Sequence, residues 1–302
     1  QEKLFSEKKN GMLKLSDDET AKVDEFCEDY KHYLDNAKTE REAVNAAIEI
    51  AKANGFKEYD RSAKYTAGEK VYYNNRGKSV ILCVFGTEPL ENGVKISAAH
   101  IDSPRLDLKA NPVYESNDLC LLKTHYYGGI KKYQWATIPL ALHGVIFKAD
   151  GTKVEVCIGE KDDDPVFMVT DLLPHLAQEQ SKRTLSEGIK GEELNVLIGS
   201  RPFKDDDVSE KVKLNILSLL FDKYGIVEDD FVSAELEVVP AFKAKDVGLD
   251  RGLVGGYGQD DRVCAYTALR AILDCNNPKS TCITVLTDKE EIGSVGNTGL
   301  ES

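Results

Sequence analysis

The sequence runs to 302 residues, 41% hydrophobic and 30% charged. At about 150 residues per domain this allows two domains, with ample core to need no disulfide or metal staple. The composition excludes a disordered chain, and no apolar run approaches the roughly 20 residues that span a bilayer. Lys+Arg 39 against Asp+Glu 52 leaves a net charge of −13, whose field repels phosphate backbones and argues against a nucleic-acid partner.

The seven cysteines (Cys27, Cys83, Cys120, Cys157, Cys264, Cys275, Cys282) are odd in number, scattered and without a C-x-x-C pair. Most lie in apolar stretches and read as reduced core residues. Gln1-Glu2-Lys3 opens polar sequence and not a signal peptide, so a cytoplasmic location is expected. Gln1 also stands where an initiator Met is usual, which points to a native N-terminus outside this sequence.

In chain order, residues 16–55 read as two helices. Ser16-x-x-Glu19 and Thr39-x-x-Glu42 are capping boxes, each followed by apolar residues at helical spacing, and Gly55 terminates the second. Residues 71–73 and 80–85 predict two strands around the tight turn Asn74-Asn75-Arg76-Gly77, and residues 94–99 a third strand ending at His100. Residues 104–242 carry short strand patterns at 119–127, 141–147, 154–158 and 232–239, interrupted by one helix with Val212, Ile216, Leu219 and Leu220 that ends at Gly225. The acidic runs Lys161-Asp162-Asp163-Asp164 and Lys204-Asp205-Asp206-Asp207 read as exposed loops, since the ligand spacing of a calcium loop is absent. Beyond Lys243, residues 261–273 predict a helix and 281–286 an apolar strand. A middle of different texture between α/β-like ends suggests one domain built from both ends of the chain and another inserted between them.

Three polar clusters follow segments that look like buried strands or open a helix. His100-Ile101-Asp102 places an imidazole and a carboxylate on one side of an extended chain; alone it is a weak signal, better explained by a structural histidine. Gly258-Gln259-Asp260-Asp261-Arg262 enters a helix after a glycine-rich loop, where one acid would serve as an N-cap and two exceed that need. Glu290-Glu291 ends the 281–286 strand; in an extended segment these neighbours point apart, one toward a metal and one toward a water, unless the pair is merely solvated. Taken together, imidazole and carboxylates suit zinc and other hydrolytic divalent ions. A carboxylate bridging two ions about 3.5–4 Å apart, beside a free carboxylate base, is the arrangement of a two-metal hydrolase.

The stretch Ser97-Ala98-Ala99-His100-Ile101-Asp102-Ser103-Pro104-Arg105-Leu106 resembles the M18 metallo-aminopeptidases, which include aspartyl aminopeptidase and aminopeptidase I. The resemblance continues through Tyr127-Gly128-Gly129, Asp171-Leu172-Leu173-Pro174-His175-Leu176 and Val247-Gly248-Leu249-Asp250. It closes with Gln259-Asp260-Asp261-Arg262 and Asp288-Lys289-Glu290-Glu291-Ile292-Gly293-Ser294, and so covers nearly the whole chain. It implies an α/β fold: a zinc-peptidase (phosphorylase/hydrolase-like) catalytic domain, residues 1–102 and 243–302, interrupted by a β-rich dimerisation domain, residues 103–242. It implies His100, Asp260 and Glu291 as metal ligands, with Asp260 bridging two ions, Glu290 as general base and Asp102 as support for the site. The implied activity is removal of N-terminal residues from peptides by a metal-activated water, with two divalent ions, zinc first and cobalt or manganese as alternatives. The implied partners are peptide substrates and further copies of the chain, in a dodecamer built from dimers, with no membrane association.

The family supplies two further ligands downstream, an Asp and a C-terminal His, which lie beyond residue 302. The chain is therefore expected to be part of a longer protein, and by itself to bind metal poorly and lack turnover. Eukaryotic members carry a His a few residues after the dimerisation-domain Pro that reaches a neighbour's site; that offset from Pro174 gives Glu179 here, leaving His175 as a candidate substrate or inter-subunit residue. Trp135, His32, His125 and His143 are assigned to packing or surface. The rival readings are a related metal deacylase or sister-family aminopeptidase, and a catalytically silent shell-forming scaffold.

Overall fold

Local signals start both N-terminal helices in the computed structural model, which describes residues 4, 8–204 and 209–301. Gln1-Glu2-Lys3, Asp205-Asp206-Asp207 and Ser302 lie outside the described residues. In α1 (Asp17–Asp35) the Glu19 amide donates to Ser16 Oγ and the Ser16 amide to the Glu19 carboxylate, the expected reciprocal box. Thr39 and Glu42 repeat it at α2 (Glu40–Ala53), whose Ala43, Val44, Ala47, Ile48 and Ala51 face is buried. After β1 (Lys57–Glu58), β2 (Lys70–Asn75) and β3 (Ser79–Val84) form a hairpin. Its turn puts both Arg76 and Gly77 at positive φ, with the Gly77 amide donating to Asn74 Oδ1 at 2.7 Å. β4 (Lys95–His100) ends at the first polar cluster.

The next strands are β5 (Arg105–Ser116), β6 (Leu119–Tyr127), β7 (Leu140–Phe147), β8 (Lys153–Ile158), β9 (Met168–Val169) and β10 (Val196–Gly199). They are followed by α3 (Lys211–Tyr224) and β11 (Ala234–Pro240), then the small pair β12 (Lys245–Val247) and β13 (Leu253–Gly255), α4 (Gln259–Leu273) and β14 (Cys282–Thr287). One five-stranded sheet has the order β1-β2-β3-β14-β4, and a seven-stranded sheet the order β8-β7-β11-β5-β6-β10-β9. Each has its own core. The first draws on residues 30–101 and 265–286, with Tyr266 of α4 ringed by Phe26, Tyr30 and Tyr33 at 5.2 Å between centroids. The second draws on residues 106–238, including Trp135, as the packing assignment expected. Among the described residues no helix is long and apolar enough to cross a membrane.

Several expectations need correction. The long strand β5 escapes the pattern because Pro112 and polar neighbours interrupt it; the register shift between Leu108 and Val113 absorbs that proline in a bulge. Residues 228–233 form a 3-10 turn, so the last strand of this sheet begins at Ala234 and not at Val232. β4 is exposed over residues 95–98, because it is an edge strand and only part of it is covered. Of the seven cysteines only Cys120 is buried; Cys157 and Cys264 are exposed, on the outward side of β8 and α4, so apolar neighbours did not imply core.

An ionic seam joins α2 to the seven-stranded sheet. His143, buried on β7, lies between Glu42 at 2.6 Å and Glu160 at 3.0 Å, and Lys38 Nζ donates to Glu160 at 2.7 Å. Burial works to lower the imidazole, but hydrogen bonds with Cys157, Glu160 and Glu42 push it up to about 11. Burial raises Glu160, and the bonds from His143 and Lys38 outweigh this to bring it down to about 2. His143 therefore stabilises the fold fully below its ordinary 6.5, and that contribution is lost as pH rises through about 11. Glu160 contributes fully above 4.5 and loses its contribution as pH falls through about 2. Glu160→Gln is expected to flatten the loss of stability between pH 4.5 and 2. Thermal midpoints across that range check this, and parallel curves for the two proteins would contradict it.

Candidate metal centre

β4 and β14 run parallel as neighbours, with Thr287 opposite His100, so both leave the sheet at the same edge. α4 packs against β4 and brings its first turn to that edge. Three segments remote in sequence thus meet where α/β sheets hold ligands, beyond the carboxyl ends of strands.

His100 is buried at this edge. Its Nδ1 lies 3.0 Å from the Asp102 carbonyl oxygen and 3.3 Å from Asp102 Oδ1, which holds a proton on Nδ1 and turns Nε2 outward. Nε2 faces Asp260 Oδ1 at 3.1 Å and Glu290 Oε2 at 3.6 Å. Acceptors meet in that way only around a proton or a metal cation. Donor atoms of His100, Asp260 and Glu291 all lie within 4.8 Å of one another.

Asp102 is fully buried and its carboxylate accepts from Tyr127 Oη at 2.8 Å and from the amides of Glu290 and Glu291, each at 3.2 Å. Those two amide bonds, with Lys289 at φ 70°, curl residues 290–292 into a 3-10 turn. The expectation of an extended Glu290-Glu291 segment is therefore wrong, although the turn still separates their roles: Glu291 joins the three-donor cluster and Glu290, half-exposed, flanks it. Asp260 is held through its backbone, its carbonyl accepting from Ser103 Oγ at 2.8 Å, while Tyr30 Oη donates to neighbouring Gln259 at 2.5 Å. Asp260 and Asp261 have non-helical backbone, their peptide is cis, and Gly258 occupies the cap position without a side-chain cap. The Asp260 carboxylate faces His100 at 3.1 Å and does not cap α4.

Burial works to lower His100, but the hydrogen bonds and charge of Asp102 push it up to about 9. Burial raises Asp102, and the bonds from His100, Tyr127 and the Glu291 amide bring it below the usual carboxylate range. Glu291 is pushed up by burial and by Asp102, Asp260 and Glu290, against the pull of His100. Carboxylates outnumber the one basic group, so the cluster is short of positive charge. One imidazole nitrogen and several carboxylate oxygens are a donor set that zinc accepts, and the residues present fit that ion.

The other candidates lie elsewhere. His175 is exposed on the loop after β9 and takes no part in these hydrogen bonds or ion pairs. His32 is exposed on α1, and His125 is exposed and stacked on Tyr126. Glu42, His143 and Cys157 form a second group of metal-type donors, but both nitrogens of His143 are already engaged by carboxylates. The residue reading missed Ser103, Tyr127 and Gly128. Tyr127 and Gly128 stand in the quoted Tyr127-Gly128-Gly129 motif at a strand end, which is the only sequence signal for them.

Fold and donor set together define an α/β protein that gathers an imidazole and carboxylates able to hold a metal ion at one sheet edge. The chain belongs to the M18 family described as aminopeptidase I zinc metalloprotease, whose model matches residues 33–302. It is 55% identical over 303 residues to a probable M18 family aminopeptidase 1 of Clostridium acetobutylicum, covering 99% of this chain and 65% of the relative. The crystal structure of an M18 aminopeptidase from Thermotoga maritima superposes with a TM-score of 0.92 at 47% identity, covering 98% of this chain and 64% of that one. A more distant likeness of fold is the mApe1 dodecamer of S. cerevisiae, with a TM-score of 0.68 at 19% identity over 90% of this chain and 62% of that one. The chain thus spans about 65% of the length of this relative and of a second one, from Borrelia garinii subsp. bavariensis.

Proposed function

We propose that the full-length protein is a metal-dependent aminopeptidase that removes N-terminal residues from peptides. The observation that carries this reading is the convergence of His100, Asp260 and Glu291, with donor atoms within 4.8 Å, beside a Glu290 carboxylate left out of that trio. His100, Asp260 and Glu291 would hold zinc, with Asp260 shared between two ions; cobalt and manganese suit the same donors. Bound metal supplies Lewis-acid polarisation of the scissile carbonyl and lowers the pKa of water. Glu290 takes the proton from the attacking water and returns it to the leaving amine. Asp102 orients His100 through Nδ1 and holds the 290–292 turn through two amides, so ligand and base keep one geometry.

The separate cores support residues 1–102 and 243–302 as the catalytic domain and 103–242 as an inserted domain for dimerisation. We assign to the full-length protein a homo-oligomeric state, a dodecamer built from dimers, with His175 on a loop exposed in the single chain and free to meet a neighbour or substrate. Seven free thiols support the cytoplasm as its location. The test compares unblocked and N-acetylated peptides with metal-loaded full-length protein. Turnover of the free amines alone is expected, with two zinc ions per subunit by elemental analysis. Preference for acylated substrates would make it a deacylase, and absence of bound metal would end the reading.

A further inference from the structure

We propose that Tyr127 and Gly128, at the end of β6 in the seven-stranded sheet, are positioning residues for the metal centre, so that the inserted domain shapes the site it lies beside. This rests on the aminopeptidase reading above and extends it to residues outside the three-donor cluster.

Asp102 lies fully buried with four donors on its carboxylate: His100 Nδ1 and the Glu290 amide on Oδ1, Tyr127 Oη and the Glu291 amide on Oδ2. Tyr127 is the only one of the four from the seven-stranded sheet. Its ring is set in turn by Arg105, whose guanidinium lies 3.9 Å from the ring centroid and is anchored by Asp107 at 2.8 Å and by Glu237 and Glu40 at 3.3 Å. A continuous run of contacts therefore leads from the first residue of α2 through β5 and β6 to the carboxylate that orients His100 and the 290–292 turn. Loss of the tyrosine hydroxyl leaves Oδ2 short of one donor in a site that water does not reach, and frees the carboxylate to rotate.

Gly128 acts by absence of a side chain. At φ 70°, a methyl group there would lie 3.0 Å from Glu291 Cβ and 3.1 Å from Glu291 Oε2. A side chain there obliges Glu291 to give way by a few tenths of an ångström, on a left-handed backbone that itself disfavours any residue but glycine, and so disturbs the position of its carboxylate in the three-donor cluster.

The test uses full-length protein and three variants: Tyr127→Phe, Gly128→Ala and, as control, Tyr126→Phe. Tyr126 loses the same hydroxyl from the adjacent, outward-facing position of the same strand. Stripped of metal and titrated with zinc, Tyr127→Phe and Gly128→Ala are expected to bind about 10–100-fold more weakly than wild type, as is usual for residues that orient ligands. Tyr126→Phe is expected to match wild type. In the metal-free proteins, hydrogen exchange of the Glu290 and Glu291 amides should be about tenfold faster in Tyr127→Phe, since their common acceptor has loosened. In the loaded enzyme kcat should fall with KM within about twofold of wild type. If Tyr127→Phe folds poorly, Gly128→Ala carries the comparison. Wild type that binds zinc, with both site variants indistinguishable from Tyr126→Phe in affinity and exchange, overturns the positioning role alone. Wild type that takes up no zinc overturns the aminopeptidase reading and this assignment with it.

Discussion

Glu290→Gln in the full-length protein is expected to lower peptide turnover by about 10²–10⁴-fold, the usual contribution of a positioned proton carrier. Bound metal should be unchanged, because Glu290 lies outside the trio of His100, Asp260 and Glu291 and the amide of glutamine fills the same space. The backbone bond from residue 290 to Asp102 also survives the change, so the turn keeps its shape. His100→Ala should behave in the opposite order: metal content falls first and turnover follows, since Nε2 is the one nitrogen donor in the cluster. Elemental analysis beside steady-state kinetics separates the two variants. Normal turnover in metal-loaded Glu290→Gln would show that another group carries the proton.

Arg105→Met is expected to destabilise the fold by about 3–5 kcal/mol, the cost of removing one partner from a buried ionic cluster. Arg105 is 5% exposed, Glu40 0% and Glu237 3%, so water cannot replace the guanidinium. Burial works against the charge on Arg105, and Glu237, Glu40 and Asp107 more than compensate. Burial and the Glu40 charge push Glu237 well above the ordinary carboxylate range, so the cluster has more acidic groups than its cations balance and favours a proton on Glu237. Removing its central cation leaves Glu40 to Lys78, 3.0 Å away. The loss should appear in urea as a lower midpoint with little change in slope. Adding Glu237→Gln should recover part of it, because the double variant buries less uncompensated acid. A loss under about 1 kcal/mol, as for an exposed pair, would contradict this account.

Much of this architecture is legible in the sequence where local chemistry decides the outcome. Ser16 and Thr39 with their glutamates announce helix starts, and Arg76-Gly77 announces a turn, because each acts on backbone within three residues. The candidate ligands were legible as residue types, His100, Asp260 and Glu291, but the reason they meet was not. It is the pairing of Thr287 with His100, a long-range register that no local pattern encodes. The 290–292 turn was misjudged for the same cause, since its shape is imposed by Asp102 from a distant strand end. Tyr127 carries no chemical signature of its role, as a tyrosine ending a half-buried strand is ordinary. β5 was hidden by Pro112, whose bulge has meaning only once the partner strand is known.

The pairing of β4 with β14 also bears on how the cell makes such a protein. Synthesis proceeds from the N-terminus, so His100 leaves the ribosome long before Glu290 and Glu291 do. During that interval the growing polypeptide holds an imidazole and its orienting acid but neither the base nor the third ligand. Under the aminopeptidase reading, a hydrolase built this way stays mute at least until β14 has been delivered beside β4, and nearby nascent chains are safe from it for that interval.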